Sequence, residues 1–191
     1  MLDAMIDAHV RCMEQLKTMA ADLDETGEML ARCLLAGGKL LICGNGGSAS
    51  DAQHFAAEII GRFEQERRAF PALALTTDTS ILTAVGNDYG YDEVFARQVA
   101  GLGRPEDLLI GISTSGQSEN VLRAVRLARS LSIKSVGLLG KDGGPLKGLV
   151  DRALVVESDT TARIQETHIF ILHYWAWRIE QAIARVEGVS A

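Results

Sequence analysis

Short apolar runs alternate with amphipathic segments from residue 39 onwards, and this alternation constrains the fold more than any other feature of the chain. The apolar runs, which predict strands, are 39–43, 72–76, 108–112, 135–139 and 153–156. The amphipathic segments, which predict helices, are 48–62, 79–86, 91–101, 119–131 and 159–187. Apolar and polar residues do not alternate within the runs, so both faces of each predicted strand are buried. Buried strands between helices predict an α/β fold in which helices cover both faces of a parallel sheet.

The first part of the chain lies outside this alternation. Apolar residues recur at spacings of three and four from Leu2 to Met19, which indicates amphipathic helix. We predict a pair of helices over residues 1–36, with Asp24 or Thr26 capping the second helix. The pair would either mediate oligomerisation or pack against the rest of the chain, and the pattern does not decide between the two.

Length and composition indicate one globular domain. The chain has 191 residues, of which 47% are apolar and 23% are charged, as is typical of globular proteins. We predict a single domain over 1–191, with the helical hairpin at 1–36 and an α/β core at 37–191 that ends in a long helix. The net charge of −6 argues against nucleic acid as a partner.

Two features predict a cytoplasmic protein. The three cysteines, Cys12, Cys33 and Cys43, show no CxxC spacing, and an odd set of this kind favours a reducing compartment. The longest apolar stretch near the end, Ile169–Trp177, contains a histidine and is too short to cross a membrane. We therefore expect no membrane partner.

Two loops rich in glycine and hydroxyl residues follow the first and third predicted strands. The first loop is Gly44–Ser48, and the second is Ser113–Ser118. Such a loop, between a buried strand and a helix, presents backbone N–H groups and hydroxyls to an anion. Ligands of parallel sheets bind at the carboxyl ends of the strands, where both loops lie. Two such loops in one domain predict a ligand with a phosphate and several hydroxyls, namely a phosphosugar.

His54 and Glu58 lie four residues apart on the helix predicted after the first loop. This spacing places both on one face, about 6 Å apart at Cβ. Together they could bind a divalent metal ion, or the carboxylate could act as a general base. An isolated pair of this kind is more often a surface contact, but the neighbouring loop favours a functional site.

The last predicted helix carries two candidate histidines. Gln165 and His173 are eight residues apart, which is about 12 Å along a helix axis, so their side chains could only just converge on one point. His168 lies three residues after Gln165 and is an equal candidate on spacing alone. A histidine on an apolar helix is also commonly a packed core residue, so the pattern leaves the choice open.

A polar pair, Asn87 and Asp88, follows the apolar stretch Ile81–Val85. A loop with these side chains could donate and accept hydrogen bonds with sugar hydroxyls. Asparagine, aspartate and glycine are equally common in simple turns, which is the alternative explanation.

Taken together, these segments resemble the phosphoheptose isomerases, a family of the sugar isomerase (SIS) domain superfamily. The resemblance rests on Gly44–Ser48, His54–Glu58, Gly86–Asp88, Gly111–Gly116 and Arg163–Glu166, in that order, between about Gly37 and His173. It implies a flavodoxin-like three-layer αβα sandwich with a five-stranded parallel sheet, preceded by the helical pair. It also implies a homotetramer, with the N-terminal helices in the subunit contacts and active sites built at interfaces.

The resemblance further implies a role for each matched residue. Glu58 corresponds to the catalytic base and His173 to the catalytic acid, which selects His173 over His168. The phosphate-binding residues are implied to be Ser113, Thr114, Ser115 and Ser118. The other substrate contacts are implied to be Asn45, Gly46, Gly47, Ser48, Glu58, Asn87, Asp88 and Gln165. Some members bind Zn²⁺, and the matching ligands are His54, Glu58, Gln165 and His173.

The implied reaction is ketose–aldose isomerisation of D-sedoheptulose 7-phosphate to D-glycero-D-manno-heptose 7-phosphate through an enediol(ate), the first step of bacterial heptose biosynthesis. The alternative within the superfamily is a non-catalytic paralogue that binds the replication initiator protein. That group lacks the carboxylate and the histidine at the positions of Glu58 and His173, and both are present here. Sugar-phosphate-sensing regulators form a third class, but they usually carry a DNA-binding module, for which this sequence has neither the room nor the charge.

Overall fold

A five-stranded parallel sheet forms the centre of the molecule in a computed structural model that describes residues 1–187. The strands are β1 (Leu40–Gly44), β2 (Ala72–Ala74), β3 (Leu108–Ser113), β4 (Lys134–Gly140) and β5 (Arg152–Val156). Their order across the sheet is β2-β1-β3-β4-β5, and every neighbouring pair is parallel. All residues of β1 and β3 are buried, which confirms the parallel, doubly covered sheet expected from their unbroken apolar runs.

Eight α-helices surround the sheet in the described part of the chain. They are α1 (Leu2–Gln15), α2 (Ala20–Leu35), α3 (Gly47–Ile60), α4 (Thr79–Tyr89), α5 (Val94–Leu102), α6 (Glu119–Ser130), α7 (Gly144–Lys147) and α8 (Thr161–Glu187). A single 3₁₀ turn, Tyr91–Glu93, precedes α5. The helices include α7, a short element that the sequence pattern did not predict.

Side chains of the strands alternate between two apolar cores, one on each face of the sheet. Ile42 of β1 packs with Phe55 and Trp175 in the core formed with α1, α2, α3 and α8. Leu41, its neighbour, packs with Phe95 in the core formed with α5, α6 and α7. Because successive strand side chains point to opposite faces, one apolar strand supplies both cores. The result is the three-layer αβα sandwich.

The second N-terminal helix starts earlier than the sequence predicts. It begins at Ala20, so Asp24 and Thr26, the candidate caps, lie inside it and the capping prediction is wrong. The Thr26 hydroxyl donates to the backbone oxygen of Asp22, and the Asp24 carboxylate accepts from the Tyr174 hydroxyl at 2.6 Å. Both side chains are therefore used within the helix or for contact with α8, and no cap is needed to explain them.

Helix α4 is longer than predicted, and this changes the environment of one candidate pair. It runs from Thr79 to Tyr89, with Asp78 accepting the backbone N–H of Ile81 as its N-cap. Asn87 and Asp88 therefore lie in the last turn of a helix, and the prediction of a loop at this pair is wrong. The helix ends only at Gly90, whose φ of +91° favours glycine.

Within residues 1–187, no helix combines the length and the apolar character needed to cross a lipid bilayer.

Candidate active site

The two glycine- and hydroxyl-rich loops lie side by side because β1 and β3 are neighbours in the sheet. The register pairs Gly44 with Ile112, so both strands end at the same level. Directly beyond, the side-chain amides of Asn45 and Asn120 exchange two hydrogen bonds of 2.8 and 2.9 Å. The Tyr91 hydroxyl also donates to Asn45 at 3.4 Å. This amide pair joins the first loop to the start of α6.

Sequence reasoning missed Asn120, although a signal was present. The buried stripe of α6 includes Val121, Ala124 and Val125, and Asn120 is the one polar residue among the buried residues of that helix. A polar side chain on a buried helix face requires a hydrogen-bond partner, and here Asn45 supplies it.

Hydrogen bonds within the second loop fix its shape. The hydroxyls of Ser113 and Ser118 lie 2.9 Å apart, and Ser113 also accepts the backbone N–H of Gly116. Ser115 accepts the N–H of Gln117. Gly116 has a φ of +64°, and a Cβ built on it would lie 1.9 Å from the backbone oxygen of Gly143. The loop is thus preformed, with its hydroxyls gathered at the carboxyl end of β3.

A His–Glu–His cluster lies where α3 and α8 meet. The Nε2 atom of His54 lies 3.0 Å from Oε1 of Glu58 and 3.1 Å from Nε2 of His173. One ligating atom from each of the three residues lies within 4.8 Å of the others. The helix period predicts the contact between His54 and Glu58, whereas only the packing of α8 against α3 brings His173 to them.

The two histidines of α8 occupy different environments. His168 is fully buried, and its Nε2 atom lies 3.0 Å from the backbone oxygen of Leu139 in β4. Burial lowers its pKa to about 4, so it is a neutral core residue near pH 7. His173 is partly exposed and belongs to the cluster. The structure therefore places His173, and not His168, beside His54 and Glu58.

Gln165 lies on α8 eight residues before His173, and its amide contacts the start of α3. A Cβ built on Gly47, at the start of α3, would lie 2.4 Å from Nε2 of Gln165. Gly47 therefore leaves room for the Gln165 amide to lie against the first loop. Helices α3 and α8 run in the same direction, because Gly47 contacts Gln165 and, further along both helices, His54 contacts His173.

Comparison with known proteins places this geometry in a family. The model of the SIS domain family matches residues 5–140. A phosphoheptose isomerase from Campylobacter jejuni is 55% identical over 86% of this chain and 89% of its own length. A phosphoheptose isomerase from Helicobacter pylori is 52% identical over 96% of this chain and 98% of its own. The chain belongs to the phosphoheptose isomerase family.

A solved structure of this family supports the same conclusion for the fold. A phosphoheptose isomerase from Neisseria gonorrhoeae matches with a TM-score of 0.89 and 44% identity, over 94% of this chain and 97% of that chain. The chain is thus an isomerase, and the family resemblance read from its motifs is confirmed, as is the α/β fold with N-terminal helices.

The isomerase has a further, partly buried carboxylate on α3 that its motifs did not reveal. Asp51 lies four residues after Gly47 and three before His54, on the same side of α3. Its Oδ2 atom is buried and has no hydrogen-bond partner among residues 1–187. Burial raises the pKa of Asp51 to about 6, and the nearby His54 partly offsets this effect. The Asp51 carboxylate is therefore poorly solvated beside His54.

The environment of His173 favours its neutral form. Burial and the neighbouring His54 lower the pKa of His173, and the Glu58 carboxylate acts in the opposite direction. A neutral imidazole has one N–H donor and one acceptor nitrogen. His173 can therefore donate a proton through one ring nitrogen while its other nitrogen accepts.

Asn87 and Asp88 stand apart from the two loops. Both are exposed in the last turn of α4, and Asn87 donates to Asp88 at 2.8 Å. Within the described part of the chain, no residue of α4 is buried. The Tyr91 hydroxyl links this region to the first loop, and the side-chain hydrogen bond found for Asn87 and Asp88 within residues 1–187 is the one between them.

Proposed function

We propose that this isomerase converts D-sedoheptulose 7-phosphate to D-glycero-D-manno-heptose 7-phosphate through an enediol(ate). One observation carries the proposal: Glu58 and His173, a carboxylate and a neutral imidazole, meet on either side of His54, on a helix that begins at the first glycine loop. The names of the relatives support the substrate class, because they are phosphoheptose isomerases.

A carboxylate and an imidazole supply the proton transfers that this reaction needs. Glu58 removes a proton from C1 of the ketose, and the electron pair forms the C1–C2 double bond of the enediolate. His173 donates its ring proton to O2 and later accepts the proton of O1. Glu58 then returns its proton to C2, which completes the aldose and regenerates both groups.

The two loops would hold the rest of the substrate. We assign the phosphate to the hydroxyls and backbone N–H groups of the second loop, namely Ser113, Thr114, Ser115 and Ser118. We assign the sugar hydroxyls to Asn45, Gly46, Gly47, Ser48, Asn87, Asp88 and Gln165. Phosphate binding at one end fixes C1 and C2 at the other, so it accelerates the reaction by orientation.

The cluster also fits a Zn²⁺ ion. Neighbouring ligand atoms around tetrahedral zinc lie about 3.4 Å apart for bonds near 2.1 Å, and the cluster spacings of 3.0 and 3.1 Å are close to this value. His54, Glu58 and His173 would hold the ion, with the Gln165 amide oxygen as the fourth ligand. Bound zinc would supply a Lewis acid that stabilises the oxyanion of the enediolate.

We further propose that the isomerase is a cytoplasmic homotetramer that supplies heptose for lipopolysaccharide precursors, with neither nucleic acid nor membrane as a partner. Exposed apolar residues on α1 support assembly through this helix. Leu2, Met5, Ile6 and Val10 are all about half exposed or more. A row of large apolar side chains on one helix is unfavourable in water and is stabilised when another subunit covers it.

A coupled assay with sedoheptulose 7-phosphate tests the proposal, run with added Zn²⁺ and with a chelator. Turnover that falls with chelator and returns with Zn²⁺ supports both the isomerase function and the metal site. Turnover that is indifferent to chelator supports the substrate and leaves Glu58 and His173 as a metal-free pair. Absence of turnover from folded protein contradicts the proposed substrate and favours the binding paralogue.

A further inference from the structure

Glu180 is a buried carboxylate that the proposed chemistry does not use. It lies on α8 two helical turns after His173 and is 2% exposed. Its two oxygens accept three successive backbone N–H groups, from Phe63 at 2.8 Å and from Glu64 and Gln65 at 3.0 Å each. Three donors to one buried carboxylate hold the segment after α3 tightly against α8.

Arg67 connects this carboxylate to the end of α3. Its Nε lies 3.6 Å from Glu180. The same guanidinium donates to the backbone oxygens of Glu58 at 2.6 Å, Ile59 at 2.9 Å and Gly61 at 3.2 Å. The last carbonyls of a helix have no partner within it, so Arg67 satisfies them. The helix turn that carries the proposed base is thereby tied to Glu180.

Phe63 carries the same restraint to the proposed acid. Its ring stacks on the imidazole of His173, with ring centroids 5.3 Å apart and an angle of 25° between the planes. The His54 ring also contacts His173, at 5.0 Å and 58°. The imidazole is therefore packed against two rings. Since the Phe63 N–H donates to Glu180, the carboxylate restrains the backbone that carries the Phe63 ring.

We propose that Glu180 and Phe63 are positioning residues of the active site. With Arg67 they form a clamp, in which Glu180 holds the segment 63–67. This clamp fixes the position of the His173 imidazole relative to the α3 turn of Glu58. The inference rests on the catalytic roles proposed above for His173 and Glu58. A displacement of about 1 Å between reacting groups can cost two orders of magnitude in rate, so restraints of this kind matter for turnover.

Two variants break the clamp at different points, and a third is a matched control. Glu180→Gln removes the charge at nearly constant shape, and Phe63→Leu removes the stacked ring while Glu180 stays. The control is Asp107→Asn, in the loop directly before β3, on a separate hydrogen-bond network. Asp107 is 4% exposed, accepts the backbone N–H groups of Lys39 at 2.9 Å and Arg104 at 2.8 Å, and is paired with the Lys39 ammonium group.

We expect the first two variants to lower kcat about tenfold, with KM changed less than about twofold. Asp107→Asn disrupts a buried hydrogen-bond network like that of Glu180, so we expect it to lose about as much stability as Glu180→Gln. Its kcat should nevertheless be unchanged when it is assayed well below its unfolding temperature. Phe63→Tyr keeps the stacked ring and is expected to keep kcat within about twofold of the parent. The separation of kcat from stability distinguishes positioning from a purely structural role.

A second readout does not depend on activity. In metal-free protein, the stacked ring of Phe63 shifts the NMR signals of the His173 ring protons, which His173→Gln assigns among the four histidines. We expect Phe63→Leu and Glu180→Gln to move these signals, and Asp107→Asn and Phe63→Tyr to leave them nearly unchanged.

Wild-type kcat and unmoved His173 signals in both Glu180→Gln and Phe63→Leu would overturn the inference. So would equal losses of kcat in Asp107→Asn, because the effect would then follow stability alone. A failure of the proposed function is recognised separately, since the folded wild-type protein would then show no turnover, and a failure of the acid role would leave His173→Gln active. In that case the ring signals by themselves support or overturn the clamp.

Discussion

Glu58 shows how much of the proposed chemistry depends on a single functional group. Its carboxylate lies 3.0 Å from His54 and would transfer the proton between C1 and C2. Glu58→Gln keeps the shape but cannot accept that proton, so we expect turnover to fall about 10³-fold or more. Steady-state kinetics measure this, with circular dichroism to confirm the fold. Glu14→Gln, on exposed α1, is the control, and a Glu58→Gln variant with near wild-type turnover would remove Glu58 from the base role.

His168 allows a test at the same scale that concerns stability alone. Burial lowers the pKa of the folded residue to about 4 from its ordinary value of 6.5. Between these values the unfolded chain binds a proton that the folded chain does not. The contribution of His168 to the free energy of unfolding is therefore full above pH 6.5 and decreases as the pH falls towards 4. His168→Gln should therefore be less stable than the parent at pH 7. The difference in free energy of unfolding between the two proteins should narrow by about 3 kcal/mol near pH 4.

Urea unfolding of both proteins at pH 7 and pH 4.5 measures this gap. The comparison is made between the two proteins because Asp51, whose folded pKa is raised to about 6, changes the parent's stability in the opposite sense over the same range. His168→Gln should keep most of its kcat while folded. A gap that is independent of pH would contradict a neutral, buried His168.

Single residues also mark the limit of what the sequence could predict about the site. The helix period alone brings His54 and Glu58 together, because the contact is local. His173 could be selected only through the family resemblance, since its approach depends on how α8 packs on α3. Asn120 and the clamp on Glu180 were missed because each depends on a partner distant in sequence. Asp51 was missed because its burial depends on tertiary packing.

Among the elements, central strands were predicted more accurately than helix ends. The central strands β1, β3 and β4 lie within one residue of their predicted ends, because burial on both faces gives a long apolar run. The partly buried edge strand β5 also lies within one residue of its predicted ends. The edge strand β2 ends at Ala74, two residues early, because its register with β1 stops at Ile42. The start of α2 and the end of α4 were predicted wrongly, since helix ends depend on local capping and on tertiary contacts that composition does not reveal.

The second loop provides a test of how an element shapes the site. Gly116→Ala places a Cβ 1.9 Å from the oxygen of Gly143 and imposes a φ of +64° on alanine. We expect KM for the phosphosugar to rise about tenfold or more, because the displaced hydroxyls would hold the phosphate poorly, while kcat changes less. Gly148→Ala is the matched control, since its Cβ would meet no atom within 4 Å. An unchanged KM with lowered kcat would contradict a phosphate-holding loop.

At the scale of the whole molecule, the exposed apolar face of α1 is a feature that a single chain leaves unexplained. Ile6 is 50% exposed near the middle of that face. If subunits meet there, Ile6→Glu buries a charge at the contact and should shift the protein from tetramer to smaller species. Light scattering on the 20.6 kDa chain reports the change directly. Leu131→Glu, at the end of α6, is the control, and an intact tetramer in Ile6→Glu would exclude this face from the assembly.

Proton transfer through an enediol(ate) is the central claim, and isotope incorporation tests it most directly. The measurement is the deuterium content at C2 of the heptose 7-phosphate formed from sedoheptulose 7-phosphate in D₂O. A carboxylate that carries the proton exchanges it with solvent during part of the turnovers, so we expect deuterium at C2 of the product. A product formed at the wild-type rate with no deuterium at C2 would indicate direct hydride transfer and would contradict Glu58 as the proton-carrying base.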